Sequence, residues 1–92
     1  MIKSFKGKAA KGLWAGQASK LPTEILQRAA DKLTAINAAT SIDTLRTPPS
    51  NHLEALVGKR KGQHSIRINN QWRICFRWKD SNVYDVEITD YH

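Results

Sequence analysis

The sequence predicts a single α+β domain over residues 1–92, with helix in the N-terminal half and a small, mainly antiparallel sheet after it. Two patterns carry that reading. Ile25, Leu26, Ala29, Ala30, Leu33 and Ile36 recur at helical spacing and make one apolar stripe. From Leu53 onward the pattern turns to strand-like runs, separated by short turn-forming segments rather than by helices. Ninety-two residues build one modest core and leave no room for a second.

Taken in order, Ile2 to Phe5 is a short candidate strand. Residues 6–20 are punctuated by Gly7, Gly12 and Gly16, so a helix over Ala9 to Trp14 is expected to be weak and the stretch mobile. The main helix starts at Pro22 or Thr23, residue types suited to a first turn and an N-cap, and ends near Asn37. Ser41 to Leu45 allows one more short turn, and Pro48-Pro49 forces an extended or turning connection. The strand runs are Leu53–Val57, Gln63–Ile68, Trp72–Trp78 and Val83–Thr89.

Side chains alternate between the faces of a strand, which allows the sheet to be deduced in detail. Trp72, Ile74, Phe76 and Trp78 take the core face, so Arg73, Cys75 and Arg77 take the other. Ile66 and Ile68 are core, leaving Ser65 and Arg67 opposite. A three-residue loop at Asn69-Asn70-Gln71, with an Asn in the left-handed conformation, pairs Arg67 with Arg73. A three-residue loop at Asp80-Ser81-Asn82 pairs Phe76 with Val86, Arg77 with Asp85 and Arg73 with Thr89. The polar face then holds Arg67, Arg73, Arg77, Asp85, Glu87 and Tyr91. Arg67 opposite Arg73 is a like-charge pair, which costs stability unless an anion or a carboxylate lies between them. Either Asp85 and Glu87 neutralise a solvated network, or the face is a phosphate seat.

Composition narrows the class. No apolar run approaches the length of a membrane span, and the N-terminus lacks the apolar segment of a signal peptide, so a cytoplasmic protein is expected. One cysteine forms no internal disulfide, and three scattered His argue against a zinc site; no cofactor is implied. Fifteen Lys+Arg against eight Asp+Glu give +7 and a pI near 9.9, a field that favours polyanions. Lys3, Lys6, Lys8, Lys11 and Lys20 crowd the first twenty residues, and Lys59-Arg60-Lys61 sits between Gly58 and Gly62. These clusters are either a solubilising surface or an RNA- or ribosome-binding one.

The last residues, Asp90-Tyr91-His92, follow a strand and place proton-transfer groups beside fixed arginines. Metal-free RNA cleavage needs a base for the 2′-OH, an acid for the leaving 5′-oxygen and a cation for the phosphorane. His92 is the natural acid or base, with an unperturbed pKa of about 6.5. Tyr91 can orient a group or shift protons, Arg73 offers a fork matched to phosphate oxygens, and Asp90 could fix the His tautomer. Strict alternation points His92 toward the core face unless the chain turns at Asp90. His64 reads as a core-edge residue, His52 as either the rim of a site or a loop residue, Cys75 as structural, and Trp72 and Trp78 as packing.

The start Met1-Ile2-Lys3-Ser4-Phe5, the runs Gly62-Gln63-His64-Ser65-Ile66-Arg67 and Trp72-Arg73-Ile74-Cys75-Phe76, and the ending Asp90-Tyr91-His92 resemble the HigB branch of the RelE/ParE toxin superfamily, GraT-type toxins in particular. The resemblance covers essentially the whole chain. It implies N-terminal helices packed on one face of the sheet. It also implies a ribosome-dependent endoribonuclease that cuts mRNA in the A site through 2′-OH attack. A HigA-like helix-turn-helix antitoxin would be its partner, meeting operator DNA only through that antitoxin. Arg73 is then the transition-state cation, with Tyr91, His92 and Asp90 around it. Lys8, Lys11, Lys59, Arg60, Lys61 and Arg67 are candidates to hold RNA or ribosome. Where that family offers a His and a Lys, this chain has Glu54 and Val57; Glu54 is a candidate base, or else the enzyme is slower. Two other classes share the pattern: a ParE-like gyrase inhibitor with no catalysis, and a plain ribosome- or RNA-binding module.

Overall fold

The computed structural model describes residues 1–17 and 20–90. Tyr91 and His92 therefore lie outside the described residues, as do Ala18 and Ser19. Helices α1 (Lys8–Trp14) and α2 (Thr23–Ala38) precede four strands, β1 (Glu54–Ala55), β2 (His64–Arg67), β3 (Trp72–Lys79) and β4 (Asn82–Asp90). The strands form one antiparallel sheet in the order β1-β2-β3-β4. Short 3-10 turns at Ile42–Arg46, Pro49–Asn51 and Gly58–Arg60 make the connections.

Both helices lie on one face of the sheet. The α2 stripe buries Ile25, Ala29, Leu33 and Ile36, and these pack with Ile66, Ile68, Ile74, Phe76, Val83, Val86 and Ile88. Trp72 and Trp78 border the same core, as alternation requires. The glycine-punctuated stretch does form a helix: Gly7 enters α1 at φ 82°, and Ala10 is buried at 0% exposure. Burial of that small side chain, with α1 seated on β4 and α2, outweighs the weak intrinsic propensity.

Two departures in the sheet share one cause. The β3–β4 turn has two residues, not three: Lys79 pairs with Asn82, and Asp80 and Ser81 take φ 52° and 62°. Such primed turns match the twist of a hairpin. A two-residue turn shifts the register by one, but Asp85, at φ 54°, lies where the ladder shifts between Cys75 and Arg77. This bulge absorbs one residue and restores the deduced register beyond it, so Arg73 lies opposite Thr89 and Ile74 opposite Ile88, whereas on the turn side Arg77 lies opposite Tyr84 and not Asp85. It also explains why Val83, Val86 and Ile88 are all buried despite their uneven spacing.

The bulge breaks the N-terminal strand as well. Instead of a ladder over Ile2 to Phe5 there are two parallel bridges, Ile2 with Val83 and Phe5 with Val86. Between them the Ser4 hydroxyl accepts from the Asp85 amide at 2.8 Å, satisfying a donor that the bulge frees from the ladder. The β2–β3 loop keeps its expected length, but no residue of it is left-handed. The Asn69 side-chain oxygen closes it by accepting from the Gln71 and Trp72 amides, each at 2.8 Å. The expected strand Leu53–Val57 contracts to Glu54–Ala55. Left-handed His52 (φ 45°) bounds it on one side and the Gly58–Arg60 turn on the other.

His64 sits at the core edge, stacked on Phe76 with ring centroids 6.3 Å apart. Its Nδ1 is buried without a hydrogen-bond partner among the described residues. Burial, then the Arg46 charge, pushes the imidazole below its ordinary pKa. A base that binds fewer protons folded than unfolded contributes full stability at high pH and loses it as pH falls below about 6.5. Urea denaturation should show that loss, and His64→Leu should flatten it; an equal slope in both proteins would refute the account.

Gly62 closes the basic loop at φ 92°, where a Cβ would come within 2.8 Å of Arg77 Nη1. Arg77 is exposed and can move, so the cost of a side chain is mainly backbone strain. Gly62→Ala should destabilise by about 1–2 kcal/mol in denaturant titration.

Candidate active site on the sheet

Arg73 is the second residue of β3, and β2 and β4 flank it on either side. Its side chain is 11% exposed, against 45% for Arg77 on the same strand. Burying a guanidinium that deeply requires partners, and several are present. Nε donates to Ser65 Oγ at 2.9 Å, Nη2 donates to the His52 carbonyl at 2.9 Å, and Nη2 lies 3.3 Å from Glu54 Oε1. Ser65 is itself fully buried, and left-handed backbone at His52 turns its carbonyl to the arginine. The result is a guanidinium fixed in direction, with a small part of its side chain still exposed.

The like-charge pair deduced from parity is real in register, since Arg67 lies opposite Arg73. It is relieved by divergence. Glu54 takes Arg73, whereas Arg67 turns to the Asn69 carbonyl at 3.1 Å and to the Asn70 side chain. The acidic residues of the face divide their work differently from expectation. Asp85 pairs with Arg77 at 3.5 Å, but Glu87 reaches out of the sheet to Arg60 at 3.0 Å. Arg60 also donates to Gln63 Oε1 at 3.1 Å. Arg60 thus anchors the Gly58–Gly62 loop, leaving Lys59 and Lys61 as its exposed cations.

Glu54 is brought to Arg73, and half of its side chain is exposed. His52 reaches Arg73 through its carbonyl, while the residue itself is exposed. Asp90 ends β4 opposite Trp72, hence on the core-side face, and accepts from Gln71 Nε2 at 3.0 Å. Lys8 and Lys11 are exposed on α1, a separate element. Tyr91 and His92 are outside the described residues. Ser65 is the functional neighbour that sequence reasoning placed on the right face without giving it a role. Burial pushes the Cys75 thiol up, in keeping with a structural residue. Among the described residues no group of His, Cys, Asp and Glu side chains could hold a metal ion, and no helix is long and apolar enough to cross a membrane.

A family model described as a RelE-like toxin of type II toxin-antitoxin system HigB matches residues 3–92. An endoribonuclease HigB of Proteus vulgaris is 39% identical over 93 residues, covering 100% of both chains. An uncharacterized protein of Haemophilus influenzae is 40% identical over 65 residues; the match spans 71% of this chain and 64% of that protein's length. Among solved structures, a heterotetrameric YoeB-YefM toxin-antitoxin complex from Staphylococcus aureus aligns with a TM-score of 0.63 at 17% identity, over 100% of this chain and 98% of that one. At that identity the likeness concerns the fold.

Proposed function

The chain belongs to the HigB family of RelE-like toxins from type II toxin-antitoxin systems, and from that premise we propose that it is a ribosome-dependent mRNA endoribonuclease. The observation that carries the reading is the Arg73 guanidinium, held in direction by Ser65, His52 and Glu54. A fixed planar donor fork is what stabilises charge developing on phosphate oxygens, because no reorganisation is needed when the phosphorane forms.

The reaction is attack of the ribose 2′-OH on the adjacent phosphorus. The P–O5′ bond breaks, leaving a 2′,3′-cyclic phosphate and a free 5′-hydroxyl. The base takes the 2′-OH proton and the acid delivers one to the departing 5′-oxygen, so protons balance without a metal. Glu54, paired with Arg73, is a candidate base. His92 and Tyr91 are the candidate acid and orienting groups, and Asp90 supports them. Lys59, Lys61, Lys8 and Lys11 supply electrostatic affinity for RNA, which weakens as salt rises. The partner that neutralises the protein is an antitoxin, of the HigA-like helix-turn-helix class.

Ribosomes carrying mRNA, incubated with the purified protein, should yield A-site cleavage with cyclic-phosphate 3′ ends. Absence of cleavage together with gyrase inhibition in a ribosome-free supercoiling assay would overturn the reading.

A further inference from the structure

The molecule's six arginines fall into two groups. Arg46, Arg60, Arg73 and Arg77 each pair with a carboxylate, namely Asp43, Glu87, Glu54 and Asp85. Arg28 and Arg67 form no ion pair among the described residues, and both line the same cavity of about 410 Å³. Lys32, Ser50, Ile68, Asn69 and Asn70 complete its wall, which contains no carboxylate. The cavity lies where α2, the Pro49–Asn51 turn and the β2–β3 loop meet.

Its cations are held in place by neutral partners. Arg28 Nη1 donates to the Ile68 carbonyl at 3.2 Å, and Arg67 Nε to the Asn69 carbonyl at 3.1 Å. Lys32 Nζ donates to Asn51 Oδ1. Asn51 is 2% exposed and donates to the Leu45 and Thr47 carbonyls, at 3.0 and 3.3 Å, so the wall behind Lys32 is rigid. A guanidinium carries five N–H donors, and these bonds leave donors on both arginines for a ligand. Burial, then the Arg28 charge, lowers the Lys32 pKa, although Asp31 opposes this. Three cations are thus gathered with no anion among them, an arrangement that costs energy when empty and is relieved by an oxyanion.

We propose that this cavity seats an RNA backbone phosphate other than the scissile one. Arg67 is the cross-strand partner of Arg73, and neighbouring strands lie only about 4.7–4.9 Å apart. Arg67 thus links the cavity wall to the strand that carries Arg73. Guanidinium forks, an ammonium, a hydroxyl and amide side chains converging on one pocket suit an oxyanion with several oxygens better than the single carboxylate of an acidic peptide. The proposal deepens the ribonuclease reading and rests on it for the placement of RNA at Arg73.

The test measures binding, not cleavage. A labelled 2′-O-methyl RNA oligonucleotide, which has no 2′-OH to react, is titrated with protein over a salt series; pelleting with mRNA-free ribosomes forms a second arm. The Arg28→Gln, Lys32→Gln double variant should reduce the slope of log affinity against log salt by about 0.7, the loss of one phosphate contact. Arg28→Lys should retain the slope. A loss in the oligonucleotide arm assigns the phosphate to mRNA, and a loss confined to the ribosome arm assigns it to ribosomal RNA. Unchanged slopes in both arms overturn the proposal. Unchanged slopes with weakened antitoxin binding also overturn it and give the cavity to a protein carboxylate. Cleavage by the wild-type protein is scored separately, so a phosphate seat without nuclease activity is distinguishable from nuclease activity without the seat.

Discussion

Arg73→Ala should lower cleavage on mRNA-programmed ribosomes by about 10²–10³-fold, the usual cost of removing a fixed donor to a developing oxyanion. The variant also strands Ser65 Oγ, which is fully buried, and frees Glu54 from its partner. An unsatisfied buried polar group costs about 1–3 kcal/mol, so part of any loss could arise from the fold. Arg73→Lys separates the two effects. Lysine keeps the positive charge but cannot reproduce the fork that spans Ser65 and His52. If Arg73 acts through a directed fork, Arg73→Lys should fall most of the way toward Arg73→Ala in single-turnover rate while unfolding at a denaturant midpoint close to wild type. A lysine variant with wild-type rate would reduce Arg73 to a general positive charge. An alanine variant with wild-type rate would remove it from the mechanism.

The pattern that made Arg73 conspicuous was legible in the sequence because alternation in a strand is a strong, local rule. It placed Trp72, Ile74 and Phe76 in the core, Arg67 opposite Arg73, and Thr89 across from it, all as observed. That success depended on a bulge that the rule does not see. The β3–β4 turn is one residue shorter than parity seemed to demand, and Asp85 restores the count. Turn length and bulge are coupled, and the hydrophobic pattern reports only their sum. The broken N-terminal strand follows from the same bulge and was hidden for the same reason.

The partners of Arg73 were only partly legible. Glu54 stood out through its position relative to a family pattern, but its contact with Arg73 depends on how β1 pairs with β2. The His52 contribution comes through a carbonyl, and a backbone group carries no residue-type signal. Arg28 and Lys32 lie off the apolar stripe of α2, where helical periodicity names no partner for them. Their meeting with Arg67 is set by helix docking over the β2–β3 loop, a long-range contact that periodicity does not encode. The Arg60–Glu87 ion pair was not legible, because the loop's fold back onto the sheet is not derivable from its charge run.

His92→Ala should cost more than any other single change, about 10²–10⁴-fold in cleavage, the range for loss of a general acid or base. The expectation rests on chemistry. Among the described residues, His64 is stacked on Phe76 and His52 meets Arg73 through its carbonyl. Glu54, paired with Arg73, is the candidate base, and the group that takes the 2′-OH proton does not also protonate the leaving group in the same step. Protonation of the leaving 5′-oxygen therefore falls to another group. The rate profile makes the point sharper than the rate alone. Wild-type cleavage should decline above a pKa set by the acid, near 6.5 if unperturbed, and His92→Gln should flatten that limb as well as lower the plateau. Tyr91→Phe should lower the rate with the limb preserved if Tyr91 only orients. Ribosome binding by His92→Ala should match wild type, since one neutral or singly charged side chain adds little to a +7 protein. Cleavage by His92→Ala at the wild-type rate would return the acid role to Glu54 or Tyr91, and an intact limb in His92→Gln would do the same.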